Sequence, residues 1–166
     1  MTLEIRSERP ADVVAIGELT TLAFKDTAHG SGTEALIVER LRTAMALTVS
    51  LVAIEDEEVS GHVACSPVTI SPYQPGWYGL GPISVRPDRQ RLGIGQALIH
   101  AALDELRSLR AAGCVLLGDP GYYHRFGFVS DVALTYRGAR SLYFQRLFLG
   151  GASATGDVSF HPSFDG

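Results

Sequence analysis

The stretch ISVRPDRQRLGIGQAL, residues 83–98, decides how this chain folds. Its pattern predicts a short apolar strand, a basic turn that holds two glycines, and then a long amphipathic helix. The first amides of a helix have no carbonyl partner within the helix, and the helix dipole adds partial positive charge there. Glycines let the backbone approach a phosphate, and Arg86, Arg89 and Arg91 bring mobile positive charge beside the turn. The stretch therefore predicts a phosphate-binding turn.

Two general phosphate-binding patterns fit this turn poorly. A P-loop needs a lysine directly after its second glycine, and no lysine follows Gly93 or Gly95. The dinucleotide fingerprint matches at both glycines but has Leu98 where close helix packing needs a tiny residue. The apolar run 114–117 also stands where that fingerprint expects an acidic residue. Nicotinamide-dinucleotide binding is therefore the weakest interpretation that stays open.

A third pattern is a family resemblance, and it extends over nearly the whole chain. Gln90-x-x-Gly93-x-Gly95 resembles the Gln/Arg-x-x-Gly-x-Gly/Ala motif of the GNAT superfamily of N-acetyltransferases. The segment GDPGYYHRFGF, residues 118–128, is similar to a second motif of that family as found in its YhbS-like subgroup. The tail, residues 156–164, resembles the end of that subgroup. The ordered set of motifs is far more specific than any one of them.

The resemblance implies a fold and a cofactor. The expected fold class is α+β (mixed α/β), a GNAT-like fold with a central, mixed and mostly antiparallel sheet flanked by about four helices, formed as a single N-acetyltransferase domain over residues 1–166. The implied cofactor is acetyl-CoA. Its pantetheine arm is expected to contact the backbone of Ile83, Ser84 and Val85. Its pyrophosphate is expected at Gln90, Arg91, Leu92, Gly93, Ile94, Gly95 and Gln96, where side-chain identity should matter little at Leu92 and Ile94.

The resemblance also implies a catalytic residue, Tyr123, whose phenol would protonate the departing thiolate. Its neighbour Tyr122 matches an apolar position of the family pattern and is expected to pack in the core. Many relatives carry a glutamate on the strand before the turn, yet residues 78–85 contain no carboxylate. Glu34, His62, Asp119 or a chain of waters are the open substitutes, and no general base is assigned.

The implied function is transfer of the acetyl group of acetyl-CoA to a primary amine by direct nucleophilic attack in a ternary complex. The alternative is a non-catalytic acyl-CoA-binding or sensing domain, which the missing strand carboxylate favours. The acceptor is expected to be a small-molecule or peptide amine. The loops 29–32 and 71–76 are expected to shape its pocket because of their flexible composition.

Composition limits the other possibilities. The chain has 166 residues and a net charge of −4, which argues against a general nucleic-acid binder. No signal peptide and no apolar run long enough to span a membrane is found, so we expect a cytoplasmic protein with no membrane partner. Cys65 and Cys114 are expected to be buried free thiols, and no metal-ligand cluster is expected. A homodimer through the C-terminal strands follows from family analogy alone.

Periodicity predicts the elements. Strands are expected at residues 3–6, 48–54, 59–70, 78–85, 114–117, 132–136 and 141–149. A first helix is expected from Pro10 to near Phe24. A second should begin at a capping box formed by Ser31 and Glu34, with Ile37, Leu41 and Met45 as its apolar stripe. A third should follow the turn, with an apolar face that ends at Leu109 and with Gly113 as its C′ residue, and a short helix is expected at 121–126. Gly61 indicates a bulge or a close backbone approach, and Pro82 must interrupt its strand because it has no N–H group.

Overall fold

The computed structural model describes residues 2–25, 32–150 and 153–165. Within these ranges the chain forms nine strands and four α-helices. The strands are β1 (Leu3–Ser7), β2 (Val49–Glu55), β3 (Glu58–Pro67), β4 (Thr69–Ser71), β5 (Trp77–Val85), β6 (Gly113–Leu117), β7 (Leu134–Tyr136), β8 (Phe144–Phe148) and β9 (Gly156–Ser159). The helices are α1 (Val13–Phe24), α2 (Glu34–Thr43), α3 (Ile94–Ser108) and α4 (Pro120–Tyr123).

Six of the strands form the main sheet, in the order β1-β2-β3-β5-β6-β8. All neighbours in it are antiparallel except β5 and β6, which are parallel. This is the mixed, mostly antiparallel sheet that was expected. A second sheet of three strands, β4-β9-β7, was not expected. The continuous strand predicted over 59–70 is wrong, because β3 ends at Pro67, whose ring nitrogen cannot donate to a ladder, and β4 then joins the second sheet.

One face of the main sheet is covered by α3. Its apolar stripe of Leu98, Ile99, Ala102, Leu103 and Leu106 is buried against strand residues such as Val63 and Cys65. Helix and sheet come close at Gly61, where an added Cβ would lie 2.8 Å from Leu98 Cδ1. Gly61 is therefore the close backbone approach that the sequence indicated.

The end of α3 differs from the prediction. Leu109, expected on the apolar face, is 52% exposed, because the helix ends at Ser108. The left-handed residue after the helix is Arg110, with φ 59°, and not Gly113, which had been expected as the C′ residue. Gly113 instead begins β6 beneath the Trp77 ring, to which an added Cβ would come within 2.4 Å. Its lack of a side chain serves packing and does not end the helix.

The opposite face of the sheet is covered by α1 and α2, whose Ile16 and Val38 pack on Val52 of β2. The N-cap of α2 is Thr33, so the predicted helix start at Ser31 is wrong; the side chain of Ser31 lies outside the described residues. Met45 was expected in the buried stripe of α2 but is 94% exposed, because the helix ends at Thr43 and Met45 has φ 55°. Only Ile37 and Leu41 of that predicted stripe are buried.

The strand β5 is broken where Pro82 predicted. Val63 on β3 pairs with Ile83 and Cys65 pairs with Leu80, so Gly81 and Pro82 have no register partner on β3. On its other side, β5 pairs with β6 only over Trp77 to Gly79. The two strands separate beyond that point, and an opening forms between them in the middle of the main sheet.

Candidate active site

The turn before α3 has an alternating backbone conformation. Arg91 has φ 65° and Gly93, the N-cap residue, has φ 91°. Such alternation directs successive amide N–H groups into one concave surface, which is an anion-binding arrangement. The helix ladder begins with Ala97 N donating to Gly93 O at 3.0 Å, so the amides of residues 94–96 precede the first intrahelical donor and have no carbonyl partner within the helix. The Gln90 side chain closes the turn by donating to Val85 O at 3.1 Å.

Two of the three arginines expected to face the phosphate are used to hold the turn. The Arg89 guanidinium donates twice to the Glu55 carboxylate, at 3.0 and 2.6 Å, and lowers the pKa of Glu55. Arg86 pairs with Glu58 at 3.1 Å and with Asp88 at 3.0 Å. The expectation of mobile charge at Arg86 and Arg89 is therefore wrong, since the β2–β3 hairpin anchors both. In the described part of the chain, Arg91 takes part in no ion pair.

A cavity of about 410 Å³, here called the turn cavity, lies between this turn, β5 and α4. Eight of the residues expected to bind the cofactor, together with the predicted catalytic tyrosine, line it: Ile83, Val85, Gln90, Arg91, Gly93, Ile94, Gly95, Gln96 and Tyr123. Ser84 and Leu92 do not. The Ser84 side chain is buried outside the cavity, and that of Leu92 is 60% exposed. Tyr122 lines the cavity as well and was not expected to do so, and Arg89, expected as a charge beside the turn, also lines it.

The backbone separates the roles of residues 93, 94 and 95. Gly93 has φ 91°, which a β-branched side chain adopts only under strain. At Gly95 an added Cβ would meet only the Tyr122 hydroxyl at 3.5 Å and Val85 Cγ2 at 3.8 Å, which are ordinary contacts. The side chain of Ile94 was expected to matter little for cofactor binding. It is buried against the sheet, however, so it contributes to the stability of the fold.

Tyr123 lies on α4 and lines the turn cavity. Burial raises the pKa of its phenol to about 12, so the hydroxyl keeps its proton at neutral pH. The ring packs over Gly118, where an added Cβ would lie 2.4 Å from Tyr123 Cε2. Asp119, which directly precedes Pro120, caps α4 by accepting from Gly121 N at 2.9 Å. The sequence segment 118–123 therefore fixes the direction of this tyrosine.

Tyr122 is partly buried and packs against the main core, as expected, but it also lines the turn cavity. Its ring meets that of Tyr123 edge-on with centroids 4.9 Å apart. The Arg125 guanidinium lies 4.5 Å from the centroid of the Tyr122 ring. Burial raises the pKa of Tyr122. The turn cavity thus contains two phenols.

A second cavity of about 410 Å³, here called the aromatic cavity, lies beside the broken part of β5. Its floor is the β5 segment Gly79, Leu80, Gly81 and Pro82. Its walls carry four aromatic rings and three ionisable side chains: Phe24, Tyr136, Phe160, Phe164, Glu34, Arg137 and Asp165. The two cavities thus adjoin successive segments of one strand, residues 79–82 and 83–85.

The loops expected to shape an acceptor pocket do not account for this cavity. Residues 71–76 do not line it, and Gln74 instead accepts from Thr155 N at 3.3 Å, so a role of this loop in an acceptor pocket stays a prediction. Of the other loop, residues 29–31 lie outside the described part of the chain. The aromatic residues of 136–164 were missed because they are far from the motifs in sequence and meet only through the second sheet.

The three candidate bases have different surroundings. His62 is fully buried, its Nε2 lies 2.8 Å from Ser50 Oγ, and burial lowers its pKa to about 4. Ser50 in turn donates to Glu8, so the histidine belongs to an internal network. Asp119 is a helix cap. Glu34 lines the aromatic cavity, where its carboxylate accepts from Gly32 N at 3.1 Å. It is the one of the three that reaches either cavity.

Other features of the described residues show no comparable chemistry. A larger groove of about 830 Å³ between α1 and α2 is lined by residues of these two helices and by Lys25, and its described lining includes no glycine turn. Cys65 and Cys114 are buried free thiols, as expected, and burial raises both pKa values, that of Cys65 to about 12. Among the described residues no group of three or more potential metal ligands is found. None of the described helices has the length and apolar character that a membrane crossing requires.

Comparison with known proteins connects this geometry to a family. The sequence model of the acetyltransferase (GNAT) family matches residues 16–128. The uncharacterized N-acetyltransferase YhbS of Escherichia coli K12 is 34% identical over 97% of this chain and 98% of its own. A GNAT acetyltransferase from Brucella melitensis, solved with acetyl-CoA, is 49% identical over 99% of both chains, with a TM-score of 0.88. Escherichia coli YhbS, solved with CoA, gives a TM-score of 0.89 at 34% identity, covering 98% of this chain and 92% of that one. The expected fold class and the resemblance are confirmed.

Proposed function

The chain belongs to the acetyltransferase (GNAT) family, and from that premise we propose that it transfers the acetyl group of acetyl-CoA to a primary amine by direct attack in a ternary complex. The whole chain would act as a single N-acetyltransferase domain. The observation that carries the proposal is the pair of cavities that adjoin successive segments of the broken strand β5. Two reactants bound there would meet at the break.

The cofactor of the proposed reaction is acetyl-CoA, in the turn cavity. The Brucella melitensis relative was solved with acetyl-CoA and the Escherichia coli relative with CoA. The alternating turn and the first amides of α3 suit a pyrophosphate. Main-chain groups of Ile83, Ser84 and Val85 would hold the pantetheine arm, because β6 has already separated from β5 at this point. The turn residues Gln90 to Gln96 would hold the pyrophosphate, mostly through N–H groups.

The thioester would then lie at the break in β5. Gly81 and Pro82 have no register partner on β3, so the main chain at Gly81 is available to the thioester oxygen. A backbone N–H group aimed at a developing oxyanion stabilises the transition state more than the ground state. Holding both reactants at this point would remove about 7–11 kcal/mol of the barrier through positioning.

The amine must lose a proton before it attacks. A primary amine with a pKa of ~10.4 is neutral about once in 2,500 molecules at pH 7, which is roughly 4–5 kcal/mol uphill. The proton would leave to water in the open aromatic cavity, where Glu34 and Asp165 attract the ammonium form. The neutral nitrogen attacks the thioester carbon, and the C–S bond of the tetrahedral intermediate breaks. Tyr123 would donate its phenolic proton to the departing CoA thiolate and recover one from the new amide nitrogen through water.

A product assay tests the proposal. Purified protein is mixed with acetyl-CoA and a panel of primary amines, and both free CoA thiol and acetylated amine are quantified. We expect the two products to appear in equal amounts and to depend on the amine. Acetyl-CoA binding without acetylation of any amine would favour the second candidate, an acyl-CoA sensor, which is suggested by the lack of a carboxylate in residues 78–85. The cytoplasmic location and the homodimer stay predictions.

A further inference from the structure

We infer that the acceptor is a small primary amine carried on a flat apolar group, such as an aromatic ring, and without an acidic group. The inference rests on the proposed function and names the class of acceptor for the aromatic cavity. The shape, the charge and the size of that cavity each support it.

The shape of the cavity is set by packed rings. The Tyr136 and Phe160 rings meet edge-on with centroids 5.3 Å apart, and Phe164 follows at 5.5 Å from Phe160. Phe144 stacks against Tyr136 at 5.5 Å and 18°, so the wall has a second ring behind it. Phe160 contacts β5 at Gly79, where an added Cβ would come within 2.9 Å of the ring. Preorganised flat walls of this kind favour a flat apolar ligand.

The charges of the cavity favour a cation. Its described lining carries the carboxylates of Glu34 and Asp165 and the single cation Arg137. The Arg137 guanidinium lies 5.2 Å from the centroid of the Tyr136 ring. The remaining described lining residues are uncharged. Two carboxylates beside aromatic faces attract an ammonium group and repel an acceptor that carries a carboxylate or a phosphate.

The C-terminal segment brings Asp165 to this position. Arg40 of α2 donates to the main-chain oxygen of Asp165 at 3.2 Å, and Asp165 N donates to Pro162 O at 2.9 Å. These two hydrogen bonds fix Asp165 in a turn beside α2. The tertiary fold brings this residue to the cavity, and no motif in the sequence indicates it.

The size of the cavity favours a small molecule over a peptide. Its volume of about 410 Å³ is near the lower end of the ~300–1,000 Å³ that small-ligand pockets span. A ring with a short aminoalkyl chain fills such a volume. An extended polypeptide would need a longer open groove.

Three probe amines test the class directly: phenethylamine, phenylalanine and butylamine. Phenylalanine differs from phenethylamine by one carboxylate, and butylamine lacks the ring. Initial rates of acetylation are measured at one pH with saturating acetyl-CoA. We expect kcat/KM for phenethylamine to exceed that of either other probe at least tenfold. Phenylalanine equal to or better than phenethylamine would overturn the charge argument, and equal use of butylamine would overturn the ring argument.

Variants of the cavity separate the inference from the proposed function. Asp165→Asn and Phe160→Leu are each expected to raise KM for phenethylamine at least fivefold and to leave the Kd for acetyl-CoA within twofold. Asp104→Asn is the matched control, since Asp104 lies on the exposed face of α3 and pairs with Arg107 there. Unchanged KM in both cavity variants would refute the site. If other amines are acetylated and phenethylamine is not, the inference fails alone; if no amine is acetylated, the proposed function fails.

Discussion

The turn cavity and the aromatic cavity have the same volume, about 410 Å³, but the chain builds them in different ways. The turn cavity comes from one contiguous stretch, residues 83–96, with two tyrosines of α4, and its proposed contacts are mostly main-chain N–H groups. The aromatic cavity is assembled from residues that are widely separated in the sequence, from the end of α1 to the C-terminal turn. A site made of backbone tolerates side-chain change but not a change of backbone conformation, whereas a site made of side chains depends on each one.

The largest effect is expected from a change of backbone at the turn. Gly93→Val puts a β-branched residue at φ 91°, so the amides of the turn must move. We expect the Kd for acetyl-CoA, measured by calorimetry, to rise at least a hundredfold, which is about 2.7 kcal/mol. Gly95→Ala is the matched control, because a Cβ has room there and the family motif allows alanine; its Kd should stay within threefold. Equal losses in both variants would mean that backbone conformation is not what distinguishes these glycines.

A pH profile separates the acid of one cavity from the amine of the other. The pKa of Tyr123 is raised to about 12, so its protonated form persists through the alkaline range. The acceptor gains its neutral form as pH rises toward its own pKa of ~10. We expect kcat/KM to increase about tenfold per pH unit, roughly a hundredfold from pH 7 to 9, with no fall before pH 10. A descending limb between pH 8 and 9 would show that a different group supplies the proton.

Removing one hydroxyl tests the single side chain on which the turn cavity would depend. Tyr123→Phe should lower kcat at least tenfold and leave the Kd for acetyl-CoA nearly unchanged, since the phenol would act only on the departing thiolate. Tyr122→Phe removes the neighbouring hydroxyl and should keep kcat within threefold. Steady-state rates and calorimetry on both variants provide the comparison. Full activity of Tyr123→Phe would exclude its role, and a larger loss in Tyr122→Phe would transfer that role to Tyr122.

The smallest effect is expected where the two cavities share β5. Gly79→Ala puts a Cβ at 2.9 Å from the Phe160 ring, which must shift into the aromatic cavity. We expect KM for the acceptor to rise about threefold to fivefold while the Kd for acetyl-CoA stays constant. A change in acetyl-CoA affinity of the same size would mean that the cavities are coupled through the strand and are not independent sites.

The same contrast explains what the sequence allowed us to predict. The α3 helix, the break at Pro82 and the residues of the turn were predictable, because each depends on neighbours within one or two turns of chain. The β4–β9–β7 sheet was missed because strands of three or four residues carry almost no periodicity. The ion pairs that hold Arg86 and Arg89 were missed since they form across the β2–β3 hairpin.

The residues of the aromatic cavity were harder to predict from the sequence than those of the turn. In the sequence, Tyr136, Phe160 and Phe164 look like core residues or like part of the C-terminal tail. Only the tertiary structure brings their rings beside β5. The N-cap at Thr33 and the exposed Met45 show the same limit at the two ends of α2. At a helix end, the backbone conformation of a single residue decides which side chains are buried. All the cofactor-binding assignments, from Ile83 to Gln96, and the catalytic assignment of Tyr123 stay predictions.

The most direct test of the central claim is a calorimetric titration of the wild-type protein with acetyl-CoA, with NAD as the comparison ligand. The turn cavity is proposed to bind the pyrophosphate through its backbone and pantetheine along β5, so we predict micromolar binding of acetyl-CoA and none of NAD. Well-folded protein that binds no acetyl-CoA, or that binds NAD equally well, would contradict the assignment of this cavity and with it the proposed acetyl transfer.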